Sequence, residues 1–198
     1  MDNKTHAGMQ YTLDYRNVKH PRLEYKTGTL LLILPKHYKS EKQTLEKYQN
    51  WIQKKQLTIN KALEEAKTKT INQTRTDKEL RNLVKQNAQN YQTELNTKIN
   101  KIYFKKMRTK WASHSKNRNL TINTLLRYLP ENTIEYIIYH EIAHSIERKH
   151  NENFWNLVKK KFKDYRTKEK DLLTYWFLIQ KINELSSPTL RNIHTRMI

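Results

Sequence analysis

At 198 residues the chain is long enough to bury a core, but only 36% of it is hydrophobic, so that core must be thin and the helices largely exposed. It has no cysteine, which excludes disulfides and thiolate ligands, suits a reducing compartment and leaves His, Asp and Glu as metal donors. The formal charge of +20 concentrates anionic partners and speeds their encounter.

The first residues, MDNKTHAGMQ, contain no apolar segment of signal-peptide type, and the longest apolar run covers only 30–34. Neither a standard signal nor a membrane span is expected, and the expected location is cytoplasmic. Residues 1 to about 8 read as a frayed start. Strand patterns follow at 10–16 and 22–26, then a turn at Thr27 and Gly28, then the apolar run 29–34 closed by Pro35. This predicts a small antiparallel sheet whose last strand is buried. Ser40, Glu41 and Gln43 mark a helix start, and 41 to about 67 is rich in helix formers with Leu45, Tyr48, Trp51 and Ile52 on one side. After a polar break at 68–76, a second helix is expected from Asp77 to Lys98 or beyond. Apolar residues are sparse between Asn50 and Asn100, which predicts exposed helices.

No acidic residue occurs between Glu94 and Glu131, while Lys98, Lys101, Lys105, Lys106, Arg108, Lys110, Lys116, Arg118 and Arg127 all do. Within this basic block 107–115 read MRTKWASHS, the tetrad 116–119 is polar, and Leu120 and Ile122 alternate as in a strand. A hairpin is expected, with its edge strand either lining a cleft for an extended substrate or simply packing Trp111 into the core. Leu125, Leu126 and Leu129 lead to Pro130, and Glu131 opens a helix whose dipole it complements.

Residues 140–150 read HEIAHSIERKH. On a helix at about 100° per residue, His140 and His144 lie about 40° apart and one turn apart along the axis, so both imidazoles can bind one ion. Glu141 then sits beside the metal without being a ligand, where a general base takes a proton from metal-bound water whose pKa zinc lowers to about 7. Ile134, Ile138, Ile142 and Ile146 recur every four residues on roughly the opposite side and anchor the helix. Catalytic zinc usually takes three protein ligands, and His150 is the nearest third. It reaches back only if the helix ends or turns near 147–149, with no glycine to help. Beyond it, Leu157, Val158 and Phe162 continue an amphipathic helix to about 165. The pattern at 170–185 is apolar enough to require burial. Residues 186–198 read as a loose tail, and His194 is too remote to be a ligand.

The order of strand sheet, helices, MRTKWASHS, the strand NLTIN, HEIAHSIERKH and NENFW resembles the YgjP-like metal-dependent hydrolases, relatives of the SprT-like and minimal zincin peptidases. The resemblance runs from about Tyr11 to Tyr165 and is strongest from Met107 to Asp164. It implies that His140, His144 and His150 hold the metal, that Glu141 is the catalytic base, and that Phe154 and Trp155 fix the segment after the third ligand. Where the family reads arginine-tryptophan-glycine-serine-cysteine-serine, this chain has Lys110, Trp111, Ala112, Ser113, His114 and Ser115. His114 is then a cleft imidazole, a partner to the ligands or a simple replacement. The stretch 41–100 has no clear counterpart in the family's middle region.

The expected molecule is a single α+β domain over 1–198: strands at 9–36, a helical region at 41–100, a zincin-like catalytic core at 101–165 with an HExxH helix and a preceding edge hairpin, and a C-terminal helix and tail at 166–198. The expected function is a zinc hydrolase holding one Zn2+ per chain, above all a metallopeptidase, with Trp111, Ser113 and His114 as substrate contacts. Two alternatives accompany it. One is a metal-dependent hydrolase of nucleotides or other phosphate esters. The other is a basic nucleic-acid-associated protein with an SprT-like protease or a vestigial site, although no nucleic-acid-binding motif supports it beyond charge.

Overall fold

A computed structural model describes residues 2–6, 8–26 and 29–185, leaving aside the side chains of 26 and 183–185. The turn expected at Thr27 and Gly28, the tail at 186–198 and His194 lie outside the described residues. The chain has the expected α+β composition and divides into two units, Met1–Lys67 and Thr68–Ile198. Among the described residues no helix is long and apolar enough to cross a membrane.

In the first unit, strands β1 (Asp2–His6), β2 (Met9–Arg16), β3 (Arg22–Lys26) and β4 (Thr29–Pro35) form one sheet in the order β1-β2-β4-β3. Residues 2–6, expected to fray, are a strand instead. Gly8, at φ 77°, supplies the left-handed residue of the β1–β2 connection, and a strand held by backbone bonds needs no apolar side chains. The sheet is also not wholly antiparallel, because β2 and β4 run parallel. Parallel neighbours cannot be joined by a tight turn, and β3 is the returning leg, pairing antiparallel with the far side of β4. Every residue from Leu30 to Leu34 is buried, as suits a central strand covered on both faces. Two helices follow, α1 (Glu41–Lys47) and α2 (Gln49–Ala66), separated at Tyr48 where one continuous helix was expected. Leu45 and Ile52 join the core of Leu30, Leu32 and Leu34, but Tyr48 and Trp51 are exposed. Leu45 and Ile52, seven residues apart, keep one side across the break, and Tyr48 and Trp51 fall outside it.

In the second unit α3 (Asp77–Glu94) begins with a reciprocal cap between Thr76 and Glu79. It stops short of Lys98 because Asn96 takes a left-handed conformation, φ 45°. As expected, most of its residues are exposed, while Leu80, Val84, Ala88 and Tyr91 are buried in the same core as the HExxH helix. Their spacing makes a narrow stripe, which is enough to bury one face. A second sheet has the order β5-β7-β6, from β5 (Lys101–Lys105), β6 (Ala112–His114) and β7 (Asn119–Asn123). The expected hairpin is β6–β7, antiparallel, while β5, absent from the sequence reading, pairs parallel with β7. A 3-10 turn at Thr124–Tyr128 leads into α4 (Glu131–Ala143), followed by α5 (Glu152–Lys161) and α6 (Tyr165–Leu185). The apolar stretch expected to be buried is the body of α6, with Tyr175, Phe177 and Ile179 inside and Trp176 and Leu178 partly covered.

Buried Asn123 ties this unit together. Its side-chain amide donates to the carbonyls of Met107 and Lys110, and its oxygen accepts from the N–H groups of Met107 and Leu125. One satisfied polar side chain thus fixes both the start of the 3-10 turn and the loop entering β6.

Candidate metal centre

Helix α4 is buried almost all round: Ile134, Tyr136, Ile137, Ile138, Tyr139, Ile142 and Ala143 are all inside. Ile146, expected to extend the isoleucine stripe, is 55% exposed. The helix ends at Ala143, so the four-residue period no longer applies to it. The N–H groups of Ile146 and Glu147 both reach back to the carbonyl of Ala143, so the chain winds on as far as Glu147 and then turns away, where the turn was expected. It does so without glycine and without any left-handed residue before α5. Asn151 then caps α5 by accepting from the N–H of Phe154.

This turn brings His150 back to the helix. The Nε2 atoms of His140 and His150 lie 3.0 Å apart, and one ring nitrogen from each of His140, His144 and His150 lies within 4.8 Å of the others. Two nitrogens bound tetrahedrally at zinc's usual 2.0–2.1 Å are about 3.3 Å apart, so the spacing fits a shared ion with small adjustment. The donor chemistry fits as well. The Nδ1 of His144 is 3.0 Å from the carbonyl oxygen of Glu147, which can only accept, so Nδ1 carries the proton and Nε2 keeps its lone pair. Burial, then the neighbouring His144 and His150, pushes His140 down to about 3, and His144 is also lowered by burial. Both are thereby kept neutral, as ligands must be.

Phe154 is fully buried and touches all three imidazoles, stacked on His144 at 4.6 Å and edge-on to His140 and His150 at 4.9 and 4.8 Å. Trp155 stacks on His150 and donates from its indole N–H to the His150 carbonyl. These two aromatic residues pack against the imidazoles and tie the start of α5 to His150.

Glu141 lines the same cavity, of about 840 Å³. Burial pushes its carboxyl up to about 7, opposed by a hydrogen bond from the backbone N–H of His114 and by the charge of Lys110. That N–H comes from β6. The carbonyl of Trp111 and the N–H of Ser115 bond toward β7, so by alternation those of Ala112 and His114 point the other way, over the cavity.

All three expected substrate contacts are on the cavity wall. Trp111 packs edge-on against Trp176 of α6 at 5.0 Å, Ser113 lies in β6, and the Nε2 of His114 is 3.4 Å from the Ser145 hydroxyl oxygen. Burial and the nearby His144, Arg148 and Arg118 lower the pKa of His114. Its nitrogens do not belong to the three-histidine group.

The sequence reading missed Tyr136 and Glu169. The Nδ1 of His140 is buried without a hydrogen-bond partner, and the nearest carboxylate oxygen is Glu169 Oε1 at 3.6 Å. Tyr136 holds that same oxygen by donating its hydroxyl at 2.6 Å. Tyr136 could have been suspected, one helical turn before His140. Glu169 is on α6, far along the chain, and no local signal marks it.

Among solved structures seven chains match. The metallopeptidase zymogen of Methanocaldococcus jannaschii jannalysin is 30% identical over 50% of this chain and 96% of that one, with a TM-score of 0.41. The metallopeptidase zymogen of Pyrococcus abyssi abylysin is 25% identical over 44% of this chain and 87% of that one, with a TM-score of 0.39. No curated protein matches the chain. Residues 10–175 match the YgjP-like metallopeptidase domain, and with that match over most of its length the chain belongs to the YgjP-like family of metallopeptidases.

Proposed function

We propose that the protein is a zinc-dependent peptidase in which His140, His144 and His150 hold one ion and Glu141 is the general base. The observation that carries this reading is the convergence of three imidazole nitrogens at the wall of a cavity, with an unligated carboxylate one residue after the first histidine. Bound there, zinc would polarise the scissile carbonyl and make a water molecule more acidic. Glu141 takes a proton from the attacking water and returns it to the leaving amine as the C–N bond breaks. Its lifted pKa suits both roles near neutral pH. Apart from the His114 N–H held by Glu141, the outward backbone groups of Ala112 and His114 are suited to pairing with an extended substrate, and Trp111, Ser113 and His114 would flank that substrate. The family match spans both units, which supports reading the chain as one functional domain.

The test combines metal analysis with hydrolysis of a mixed peptide pool. Wild type should hold close to one zinc and cleave peptides. His150→Ala should lose most of the metal, whereas Glu141→Gln should keep metal and lose cleavage by roughly a thousandfold or more. Full activity in metal-loaded Glu141→Gln would sink the mechanism.

A second reading, phosphate-ester hydrolysis, draws on the cations of the cavity, Lys110, Lys116, Arg118 and Arg148. Glu141-dependent hydrolysis of nucleoside triphosphates, without peptide cleavage, would select it.

A further inference from the structure

The cavity wall carries a charge pattern that the hydrolytic reading does not use. Lys110 stands just before β6, Lys116 and Arg118 in the turn after it, and Arg148 in the segment between His144 and His150. All four are exposed, and none forms a salt bridge among the described residues. Neither carboxylate of the cavity forms an ion pair with them. Glu141 is held by the His114 N–H and Glu169 by the Tyr136 hydroxyl. The cations nevertheless act on the site: the charge of Lys110 reaches Glu141, and those of Arg148 and Arg118 reach His114.

Backbone geometry adds an independent sign. Arg118 sits at φ 55° in the hairpin turn, where glycine or asparagine is the usual occupant. Asparagine flanks it on both sides, yet the left-handed position itself is arginine. A strained residue at the mouth of a cleft points to a role for its side chain.

We infer that the cleft selects acidic stretches of extended polypeptide, read by Lys110 at one end of β6 and by Lys116, Arg118 and Arg148 at the other. The inference rests on the peptidase reading and names its substrate class. From Lys110 to Lys116 an extended chain spans roughly 20 Å, so acidic side chains should lie within about three residues on either side of the scissile bond. Polypeptide is favoured over nucleic acid because the binding element between the cations is the outer edge of a strand, beyond the His114 N–H that Glu141 holds. Such an edge pairs with another β-chain, and a sugar–phosphate backbone offers no matching alternation of donors and acceptors.

The test uses the full chain as zinc-loaded Glu141→Gln, so that peptides bind without turnover. Fluorescent octapeptides with Asp and Glu flanking the centre are compared with their Asn and Gln counterparts by fluorescence polarisation. At low salt the acidic peptide should bind roughly tenfold more tightly, and the advantage should shrink steeply with added salt, which needs no further variant. Adding Lys110→Gln with Arg118→Gln, two exposed and conservative changes, should remove most of it. Equal affinity for the two peptides at low salt would overturn the inference. So would tight binding of a short oligothymidylate that excludes both peptides while the acidic one gains nothing. Acidic preference in binding with no cleavage of either peptide by the zinc-loaded wild type would leave the inference standing and remove the peptidase reading.

Discussion

Helices α2 and α4 are built on opposite plans. Helix α2 has eighteen residues and buries only Ile52, Ile59, Ala62 and Ala66, with Trp51 at 38% and Leu57 at 69% exposure on its outer side. Helix α4 has thirteen and buries eight, on nearly all sides. A one-sided helix can shift without consequence to a distant side chain. An enclosed helix has each side chain packed into one position, and its few polar groups sit in a medium of low dielectric. That is why the pKa values of His140 and Glu141 move so far, in opposite senses, from one helical turn. The difference teaches that in this chain chemistry is carried where packing is tightest, not where amphipathic periodicity is clearest.

The contrast can be tested from its largest expected effect downward. Apparent zinc-binding energies of about 10–16 kcal/mol are shared among the ligands, so His144→Ala should weaken zinc binding by roughly a thousandfold in a chelator competition. Trp51→Ala on α2 should leave it unchanged. A comparable loss in both would refute the assignment of the site to α4. Phe154→Ala removes the ring that all three histidines pack against, and should lower unfolding stability by about 3–5 kcal/mol in urea titration. It should also loosen metal binding, whereas stability loss with unaltered zinc affinity would show that the ring does not orient the ligands.

Glu169→Gln keeps the shape of the side chain and removes its charge beside the His140 Nδ1. If this carboxylate orients the ring, zinc affinity should fall about tenfold or more while the thermal midpoint of the metal-free protein barely moves. The pH dependence of the metal-free protein is subtler. Burial holds His140 down to about 3 against an unfolded value of 6.5, so the unfolded state binds an extra proton between those limits and stability falls with acid. Glu141, raised to about 7 from 4.5, binds its extra proton in the folded state and opposes that loss where the ranges overlap, about pH 4.5 to 6.5. Metal-free Glu141→Gln should therefore lose stability more steeply than wild type over this window, as urea midpoints measured across pH would reveal. Parallel curves would mean that the two shifts are not linked to folding. Least of all, Leu57→Ala on the exposed side of α2 should change stability by no more than about 0.5 kcal/mol.

Much of this was legible locally. The strands at 22–26 and 29–35, the hairpin ahead of α4 and the HExxH helix all follow from periodicity and turn chemistry within a few residues. What was misread is non-local. β1 was taken for a frayed end because its residues are polar, and its stability comes from pairing with β2. The parallel contacts β2–β4 and β5–β7 leave no mark in either partner's own sequence. Helix α3 is mostly exposed, as its sparse apolar residues suggest, but nothing in its own sequence tells that Leu80, Val84, Ala88 and Tyr91 join the core of the HExxH helix.

By itself the sequence determined which atoms could serve a metal and where on one helix they lie, since i and i+4 share a face whatever surrounds them. It also determined the excess of cations, and that the HExxH helix would follow a β-hairpin. Only the tertiary structure decided that the turn after Glu147 brings His150 to His140, and that Phe154 packs among the three rings. It alone brought Glu169 to the buried nitrogen of His140 and aimed the His114 N–H at Glu141. Those relations join residues on different elements, and their distances are set by how helices and strands pack against one another, which no local spacing encodes.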